Sequence, residues 1–127
     1  TTVTLTTVPR RRGRSGPGRG GRNQELALAA LLHLGEGELW DIVILSGGTD
    51  GEDGPTDAAG AVADAAVWRA VRRKRLDPAD HLQRHDAYPF FAAAGGLLRT
   101  GPTDTNVMDV QVALLGPPPS NPERRRK

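Results

Sequence analysis

A short apolar run that leads into a glycine-rich polar loop is the feature that most restricts how this chain folds. The run covers residues 42–45, and the loop, residues 46–57, contains four glycines, one proline, four acidic residues and three hydroxyl-bearing residues. This composition argues against regular structure, because glycine reaches positive φ and proline fixes its own φ. An alanine-rich stretch with a helical pattern follows at residues 58–66. The order strand, loop, helix is typical of α/β folds, in which ligands bind at the carboxyl ends of strands.

This central loop has two interpretations. Asp50, Asp53 and Asp57 are suited to hold Mg²⁺ or to orient a substrate hydroxyl, and the backbone N–H groups of a glycine loop favour anions. Alternatively, the loop is solvated, and Thr56 or Asp57 only caps the next helix. The spacing matches neither a phosphate-binding P-loop nor a dinucleotide-binding glycine fingerprint, so the local pattern leaves both interpretations open.

Length and composition allow one small domain. The chain has 127 residues, of which 37% are hydrophobic and 4% aromatic, so its core must consist mainly of Leu, Val, Ile and Ala. The absence of cysteine excludes disulfides and thiolate metal sites. No apolar run is long enough to cross a bilayer, and we expect no membrane partner. We expect a cytoplasmic protein, with mitochondria as the alternative, because the sequence begins at Thr1 and an upstream targeting signal would not be visible.

Basic residues are concentrated in a few segments, although the net charge is only +2. Residues 10–22 are almost entirely arginine and glycine, so we expect residues 9–19 to form a mobile loop without a core of its own. Such a segment also suits a nucleic acid, but it has no interleaved aromatic side chain for base stacking, which argues against that partner. The Pro- and Arg-rich residues 116–127 are expected to be a disordered tail.

The sequence GGRNQE at residues 20–25 leads directly into an apolar helical stretch. Asn23 is a favourable N-cap, Glu25 suits the positive end of the helix dipole, and Gly35 marks the expected helix end. Arg22 would then lie beside free backbone N–H groups, where its guanidinium can make a bidentate contact with a phosphate or carboxylate. The alternative is that Arg22 pairs with an acid of the central loop.

The other predicted elements are a strand at residues 1–8, an interior parallel strand at residues 42–46, and a helix from residue 58 to a basic end at residues 72–75. Asp77 caps a short helix. His81 and His85 are four residues apart, but no third ligand is placed near them, and a metal site is not favoured.

A second polar loop, residues 100–106, follows a predicted short strand at residues 97–99. It contains three threonines together with glycine, proline and asparagine, which offer many donors to an oxyanion; an ordinary turn with threonine caps is the alternative. Alternating apolar residues at 110–114 then predict a half-exposed closing strand. Three polar loops, around Arg22, Asp50 and Thr103, are thus available to form one site.

Four motifs follow one another in the chain. They are GGRNQE at residues 20–25, GTDG with DGPT and AAG at residues 48–60, DAY before Phe90 and Phe91, and TGPT with TNV and an aspartate at residues 100–109. Together, over residues 1–115, they closely resemble the C-terminal MOFRL domain of glycerate 2-kinases, a family that includes proteins called hydroxypyruvate reductase.

The resemblance implies an α/β domain over residues 1–115, with a mixed β-sheet flanked by helices. It implies ATP-dependent phosphorylation of D-glycerate to 2-phosphoglycerate. ATP and Mg²⁺ would be bound mostly through a larger N-terminal domain, which would also supply a catalytic lysine and which this chain lacks. D-glycerate and that missing domain are therefore the implied partners, and the chain alone is expected to be inactive.

The resemblance also implies roles for residues of the motifs. Arg22 would neutralise a substrate carboxylate or phosphate, while Asp50 and Asp53 would orient the substrate hydroxyl or a metal. The remaining substrate- and phosphate-binding residues would be Gly21, Asn23, Glu25, Thr49, Asp86, Thr103, Thr105 and Asn106, with the threonines and Asn106 of the second loop donating to anionic oxygens.

Two residues and one segment depart from the family pattern. Asp104 replaces the usual glycine between two threonines, where a carboxylate would repel phosphate and would need an unfavourable φ. His85 replaces the usual asparagine, and residues 10–19 are longer and more basic than the usual segment. These changes fit a non-catalytic remnant as well as an active enzyme, and the arginine-rich ends leave polyanion binding as a further alternative.

Overall fold

The computed structural model describes residues 18–116, in which four strands form a single sheet. The strands are β1 (Ile42–Gly48), β2 (Gly60–Ala63), β3 (Leu97–Leu98) and β4 (Asp109–Leu115), and their spatial order is β3-β2-β1-β4. All three pairings are antiparallel. The α/β class with a sheet and helices is confirmed, but the described strands form an antiparallel rather than a mixed sheet.

The segment that follows the central loop was predicted as a helix and is instead β2. Gly47 of β1 pairs with Gly60, and a Cβ on Gly60 would overlap the carbonyl oxygen of Ser46. Ala61 and Ala63 are fully buried against the helices. Small side chains that favour a helix in isolation thus allow close strand packing here, and the tertiary contacts override propensity.

This correction changes the meaning of the central loop. β1 is an interior strand, as predicted, but both of its neighbours are antiparallel to it. The loop therefore connects two strands of a hairpin and does not lead from a parallel strand into a helix. The rule that ligands bind at the carboxyl ends of parallel strands does not apply to it.

The helices lie on one face of the sheet. They are α1 (Arg22–Glu38), α2 (Ala65–Lys74), α3 (Pro78–Gln83) and α4 (Ala87–Ala94). α1 contacts β1 and β2 and also the other three helices, which agrees with its nearly continuous apolar surface. Regular helical geometry is interrupted at Gly35, where φ is 68°, close to the predicted end.

Local sequence signals start the shorter helices. The carboxylate of Asp64 accepts from Val67 N at 2.9 Å at the start of α2, and Asp77 accepts from Asp80 N at 3.1 Å at the start of α3. Phe90 and Phe91 of α4 are fully buried, with ring centroids 5.1 Å apart in an edge-to-face arrangement. Both residues belong to the hydrophobic core.

The predictions for residues 1–17 and 117–127, a strand with a basic loop and a proline-rich tail, lie outside the described residues. Within residues 18–116 no helix is both long and apolar enough to cross a membrane.

Candidate functional site

The amino end of α1 is capped by a carboxylate from the central loop. Asp53 is 1% exposed, and its two oxygens accept from the backbone N–H groups of Asn23 at 3.0 Å and Gln24 at 2.8 Å. A helix leaves these N–H groups without internal partners, and its dipole favours a negative charge there. Gly21 permits the approach, because a Cβ at this position would overlap the Asp53 carboxyl group.

The buried Asn23 side chain joins three segments. Its Nδ2 donates to Asp53 Oδ1 at 3.2 Å and to Asp109 Oδ1 at 3.1 Å, and its Oδ1 accepts from Ser46 Oγ at 2.7 Å. The prediction that Asn23 is the N-cap is wrong, since Gly21 occupies that position and makes no side-chain cap. Asn23 instead uses its whole amide to connect α1, β1 and β4.

Arg22 forms a two-pronged ion pair with the first residue of β4. Its Nε lies 2.5 Å from Asp109 Oδ2 and its Nη2 lies 2.8 Å from Asp109 Oδ1. Hydrogen bonds from Arg22, and then from Asn23, hold the pKa of Asp109 below its usual range, and Asp109 raises the pKa of Arg22. Both groups therefore stay ionised. The alternative that Arg22 pairs with an acid of the central loop is wrong, because the partner comes from β4.

Asp50 lies at the same end of the sheet. Its Oδ1 accepts from Glu52 N at 3.0 Å. A Cβ built on Gly48 would meet Asp50 Oδ1 at 3.0 Å and Asp109 Oδ1 at 3.7 Å, so both carboxylates approach the end of β1. Asp109 is the main cause of the raised pKa of Arg22, and the charges of Asp53 and Asp50 raise it further. Arg22 thus stands among three carboxylates.

The second polar loop is bonded to the central loop. Thr103 Oγ1 donates to the carbonyl of Thr49, and Thr103 N donates to Asp50 O at 3.2 Å. In return, Thr49 Oγ1 donates to Met108 O at 2.7 Å and accepts from Val107 N at 2.8 Å. The three polar loops therefore converge at one end of the sheet.

Thr105 and Asn106 belong to this loop but remain exposed. Asn106 Oδ1 accepts from Met108 N at 3.0 Å, and no side-chain hydrogen bond joins either residue to Arg22 within residues 18–116. Asp104 has a φ of 57°, which confirms the concern about its backbone conformation. Aspartate is one of the few residues that tolerate this region, which explains how it can replace glycine here.

Glu25 and Asp86 lie outside the convergence of the loops. Glu25 Oε1 is 2.5 Å from His85 Nδ1, and Asp86 accepts from Arg19 N at 2.8 Å and from Arg84 Nη1 at 3.2 Å. Asp86 therefore holds the chain that enters α1. His85 has a φ of 55°, a left-handed conformation in which asparagine, aspartate and histidine are enriched, so histidine is tolerated at this position.

One interpretation of the central loop was that Thr56 or Asp57 caps the next helix. This interpretation is wrong, because the segment that follows the loop is the strand β2. Thr56 Oγ1 donates to Asp53 O at 2.7 Å and accepts from Gln24 Nε2 at 3.0 Å, so it fixes the loop against α1. Asp57 is exposed and accepts from Tyr88 OH at 2.7 Å and Arg99 Nε at 3.4 Å. The Tyr88 hydrogen bond is the main cause that lowers the pKa of Asp57.

No group of three or more His, Asp or Glu side chains in residues 18–116 is arranged to hold a metal ion. His81 and His85 do not share a helix face, because α3 ends at Gln83 and His85 has left-handed backbone geometry.

Sequence reasoning gave no role to Asp109 or Ser46. Asp109 was included in the last family motif but was given no contact or task, and Ser46 was placed only at the start of a loop. A clue was present for Asp109: the helix dipole disfavours a cation at a helix start, so a nearby carboxylate is a favourable partner for Arg22, and Asp109 is the aspartate of the last motif. Ser46 carried no local signal, because its buried hydroxyl is meaningful only beside Asn23.

Comparison with known proteins identifies the family. The MOFRL family matches residues 1–109. A glycerate kinase from Danio rerio is 51% identical over 109 residues, covering 83% of this chain and 22% of the relative. A D-glycerate 2-kinase from Thermotoga maritima is 46% identical over 100 residues, covering 79% of this chain and 24% of the relative.

Solved structures agree in fold. The crystal structure of a glycerate kinase from Thermotoga maritima has a TM-score of 0.74 at 44% identity and covers 80% of this chain and 24% of that one. A protein from Pyrococcus horikoshii has a TM-score of 0.72 at 39% identity, with 82% and 23% covered. The chain thus spans about a quarter of the length of these relatives. Because the family match extends over most of its residues, the chain belongs to the MOFRL family.

Proposed function

We propose that this chain is the C-terminal part of a glycerate 2-kinase and contributes an anion-binding arginine to the phosphorylation of D-glycerate to 2-phosphoglycerate. The observation that carries the proposal is Arg22, which is oriented by a two-pronged ion pair with Asp109 where the polar loops converge and is still 69% exposed. The relatives named as glycerate kinases support the reaction.

Arg22 keeps free donors while it is held in place. A guanidinium has five N–H groups, and Asp109 accepts from two of them. The other three, including both on Nη1, have no partner within residues 18–116. They can donate to the carboxylate of glycerate or to a transferring phosphoryl group, where positioned positive charge stabilises phosphoryl transfer. The contact with Asp109 orients the guanidinium of Arg22, and the three remaining N–H groups are available to bind an anionic group of the substrate.

The resemblance implies that both Asp50 and Asp53 orient the substrate hydroxyl or a metal, but we propose a different role for each. Asp50 has one oxygen bonded to Glu52 N and lies beside Gly48, near the surface. It is therefore the carboxylate suited to accept a hydrogen bond from the substrate hydroxyl. Asp53 is buried and bonded to α1, so we assign it a positioning role, in which it fixes the start of α1 and hence Arg22.

Mg²⁺ does not fit the carboxylates of the described residues. Both oxygens of Asp53 and both oxygens of Asp109 already accept hydrogen bonds from this chain. Asp50 alone is not a magnesium site, since Mg²⁺ requires near-octahedral oxygen coordination. We propose that ATP and Mg²⁺ are bound mostly by an N-terminal domain in the additional length of the relatives.

The test uses a full-length chimera, in which this chain replaces the matching stretch of the Thermotoga maritima D-glycerate 2-kinase. Arg22→Ala in the chimera should lower glycerate-dependent ADP formation by about 10²-fold or more, as expected for loss of one transition-state donor. Arg99→Ala is the matched control, because Arg99 is an exposed arginine bonded to Asp57 and Tyr88 instead. Equal rates for Arg22→Ala and the unmodified chimera would refute the assignment.

A further inference from the structure

Gln24 is a buried polar side chain in the first turn of α1, and the proposed reaction does not use it. The residue is fully buried. Its Nε2 donates to Thr56 Oγ1 at 3.0 Å and to the carbonyl oxygen of Asp53 at 3.4 Å. Its Oε1 is also buried, yet this oxygen has no hydrogen-bond partner within residues 18–116. An unpartnered buried acceptor is rare in folded proteins and calls for an explanation.

The amide of Gln24 is held in one orientation by its donors. The carbonyl oxygen of Asp53 can only accept hydrogen bonds, so a flipped amide would place Oε1 against another acceptor. The hydroxyl of Thr56 donates to the same carbonyl at 2.7 Å, and its proton is therefore directed away from the Gln24 side chain. The bonds made by Nε2 thus fix the amide, and they leave Oε1 without a partner.

The stability of the fold does not explain why residue 24 is a glutamine. A buried polar atom without a partner keeps its full desolvation penalty, whereas an apolar side chain of similar shape avoids that penalty. Methionine is an unbranched side chain of similar length, so it would fill the same space without an unpartnered oxygen. It would, however, lose the hydrogen bonds from α1 to the central loop. The link to the loop, rather than packing, is therefore what Gln24 contributes.

This link is the second of two attachments between the central loop and α1. The Asp53 carboxylate accepts from two backbone N–H groups of the helix, which fixes one side chain of the loop. Gln24 Nε2 binds the Asp53 carbonyl and the Thr56 hydroxyl, which fixes the backbone that follows. Asp50 lies three residues before Asp53 in the same loop. The helix that carries Arg22 therefore also holds the loop that carries Asp50.

We infer that Gln24 is a positioning residue for the phosphoryl transfer. By holding the backbone of the central loop against α1, it keeps the Asp50 carboxylate in place relative to Arg22. The inference rests on the proposed function, in which Asp50 accepts from the substrate hydroxyl and Arg22 binds an anionic group. A displacement of about 1 Å can lower the rate of an enzyme by about 10²-fold, so a loosened loop should reduce kcat.

Gln24→Met in the full-length chimera tests the inference. The loosened loop should lower kcat by about 10-fold. Tm should stay within about 2 °C of the unmodified chimera, because the unpartnered oxygen is removed together with the link. KM for ATP should not change, since ATP is proposed to bind mostly through the N-terminal domain. Glu36→Gln is the matched control, because Glu36 lies at the other end of α1 in a surface ion pair, and it should leave kcat and Tm unchanged.

Thr56→Val removes the other half of the same link and provides the test if Gln24→Met does not fold. It should lower kcat by a similar factor. The double variant should be little slower than either single variant, because both substitutions break one link. Thr56→Ser keeps the hydroxyl and should keep most of the rate.

Hydrogen exchange in the isolated chain reports on the loop independently of any kinase activity. Gln24→Met should speed exchange at the amides of Gly51 and Glu52, which are bonded within the loop, while Leu45 in β1 keeps its protection. Unchanged exchange at Gly51 and Glu52 would overturn the inference, because Gln24 would then not hold the loop.

Full kcat in both Gln24→Met and Thr56→Val would also overturn the inference, and a lower Tm with full kcat would show that Gln24 has only a structural role. The proposed function is judged separately. If Arg22→Ala is inactive while both link variants keep full kcat, only the role of Gln24 is rejected. If Arg22→Ala keeps the full rate, the proposed function itself is wrong.

Discussion

The amino end of α1 and the threonine loop meet at one site, yet they are held in place in opposite ways. At α1, the buried carboxylate of Asp53 accepts from two backbone N–H groups and the Asn23 amide. In the threonine loop, exposed hydroxyls such as that of Thr103 bond to carbonyl groups of the central loop. Water can replace the second kind of bond but not the first, because a buried polar group that loses its partner keeps its full desolvation penalty. We therefore expect a rigid Arg22 side and a mobile threonine side.

The sharpest way to break this contrast is to remove the buried carboxylate. Asp53→Ala would leave three N–H groups at the start of α1 without an acceptor and would remove a helix cap, which should destabilise the domain by about 3 kcal/mol. Urea denaturation of the isolated chain measures the effect. Asp53→Asn keeps the shape and one acceptor oxygen and should cost about half as much. A loss below about 1 kcal/mol for Asp53→Ala would mean that the cap does not carry the rigidity of this region.

The ion pair between Arg22 and Asp109 should give an intermediate effect that depends on pH. The folded-state pKa of Asp109 is lowered, first by the hydrogen bond from Arg22, so the pair stabilises the fold above the unfolded pKa of about 3.9. This contribution is lost as the pH falls through the folded pKa. Because Arg22 is mostly exposed, Asp109→Asn should cost only about 0.5–1 kcal/mol at pH 7.

Stability curves between pH 7 and pH 2.5 test this expectation. The difference between the unmodified chain and Asp109→Asn should shrink towards zero at the acid end. When Arg22 is replaced by alanine, adding Asp109→Asn should change the dependence of stability on pH very little. An unchanged difference at all pH values would show that the carboxylate acts through shape rather than through charge.

The smallest effect is expected in the threonine loop. Thr103→Val removes one exposed hydroxyl donor to Thr49 and should change global stability by about 0.5 kcal/mol. Hydrogen exchange should detect it locally, with faster exchange at the amides of Thr49 and Val107, while Asn23 and Gln24 keep their protection. Equally faster exchange in the threonine loop and at the start of α1 would show that the two regions open as one unit. The contrast between a rigid side and a mobile side would then be wrong.

Much of the fold follows from local signals in the sequence. Asp77 with Pro78 starts α3, Gly95 ends α4, and Gly35 interrupts α1, because each of these residues changes the energy of its own backbone or of its nearest N–H groups. The order of apolar segments and loops showed that three polar loops were available to converge, but the sequence did not establish that they do. The family motifs named residues that are distant in the chain, and several of these residues, among them Arg22, Asp50 and Thr103, lie where the loops meet.

What the sequence by itself determined is therefore the set of elements that depend on near neighbours, together with the positions of the polar loops. The tertiary structure alone decided that residues 60–63 form β2, since alanine by itself favours a helix and the strand forms because Gly60 packs closely against Ser46. It also decided the partner of Arg22. Several acids were available by charge, and only the antiparallel pairing of β4 with β1 brings Asp109 to the start of α1. Such choices depend on contacts between distant residues, which no local pattern encodes.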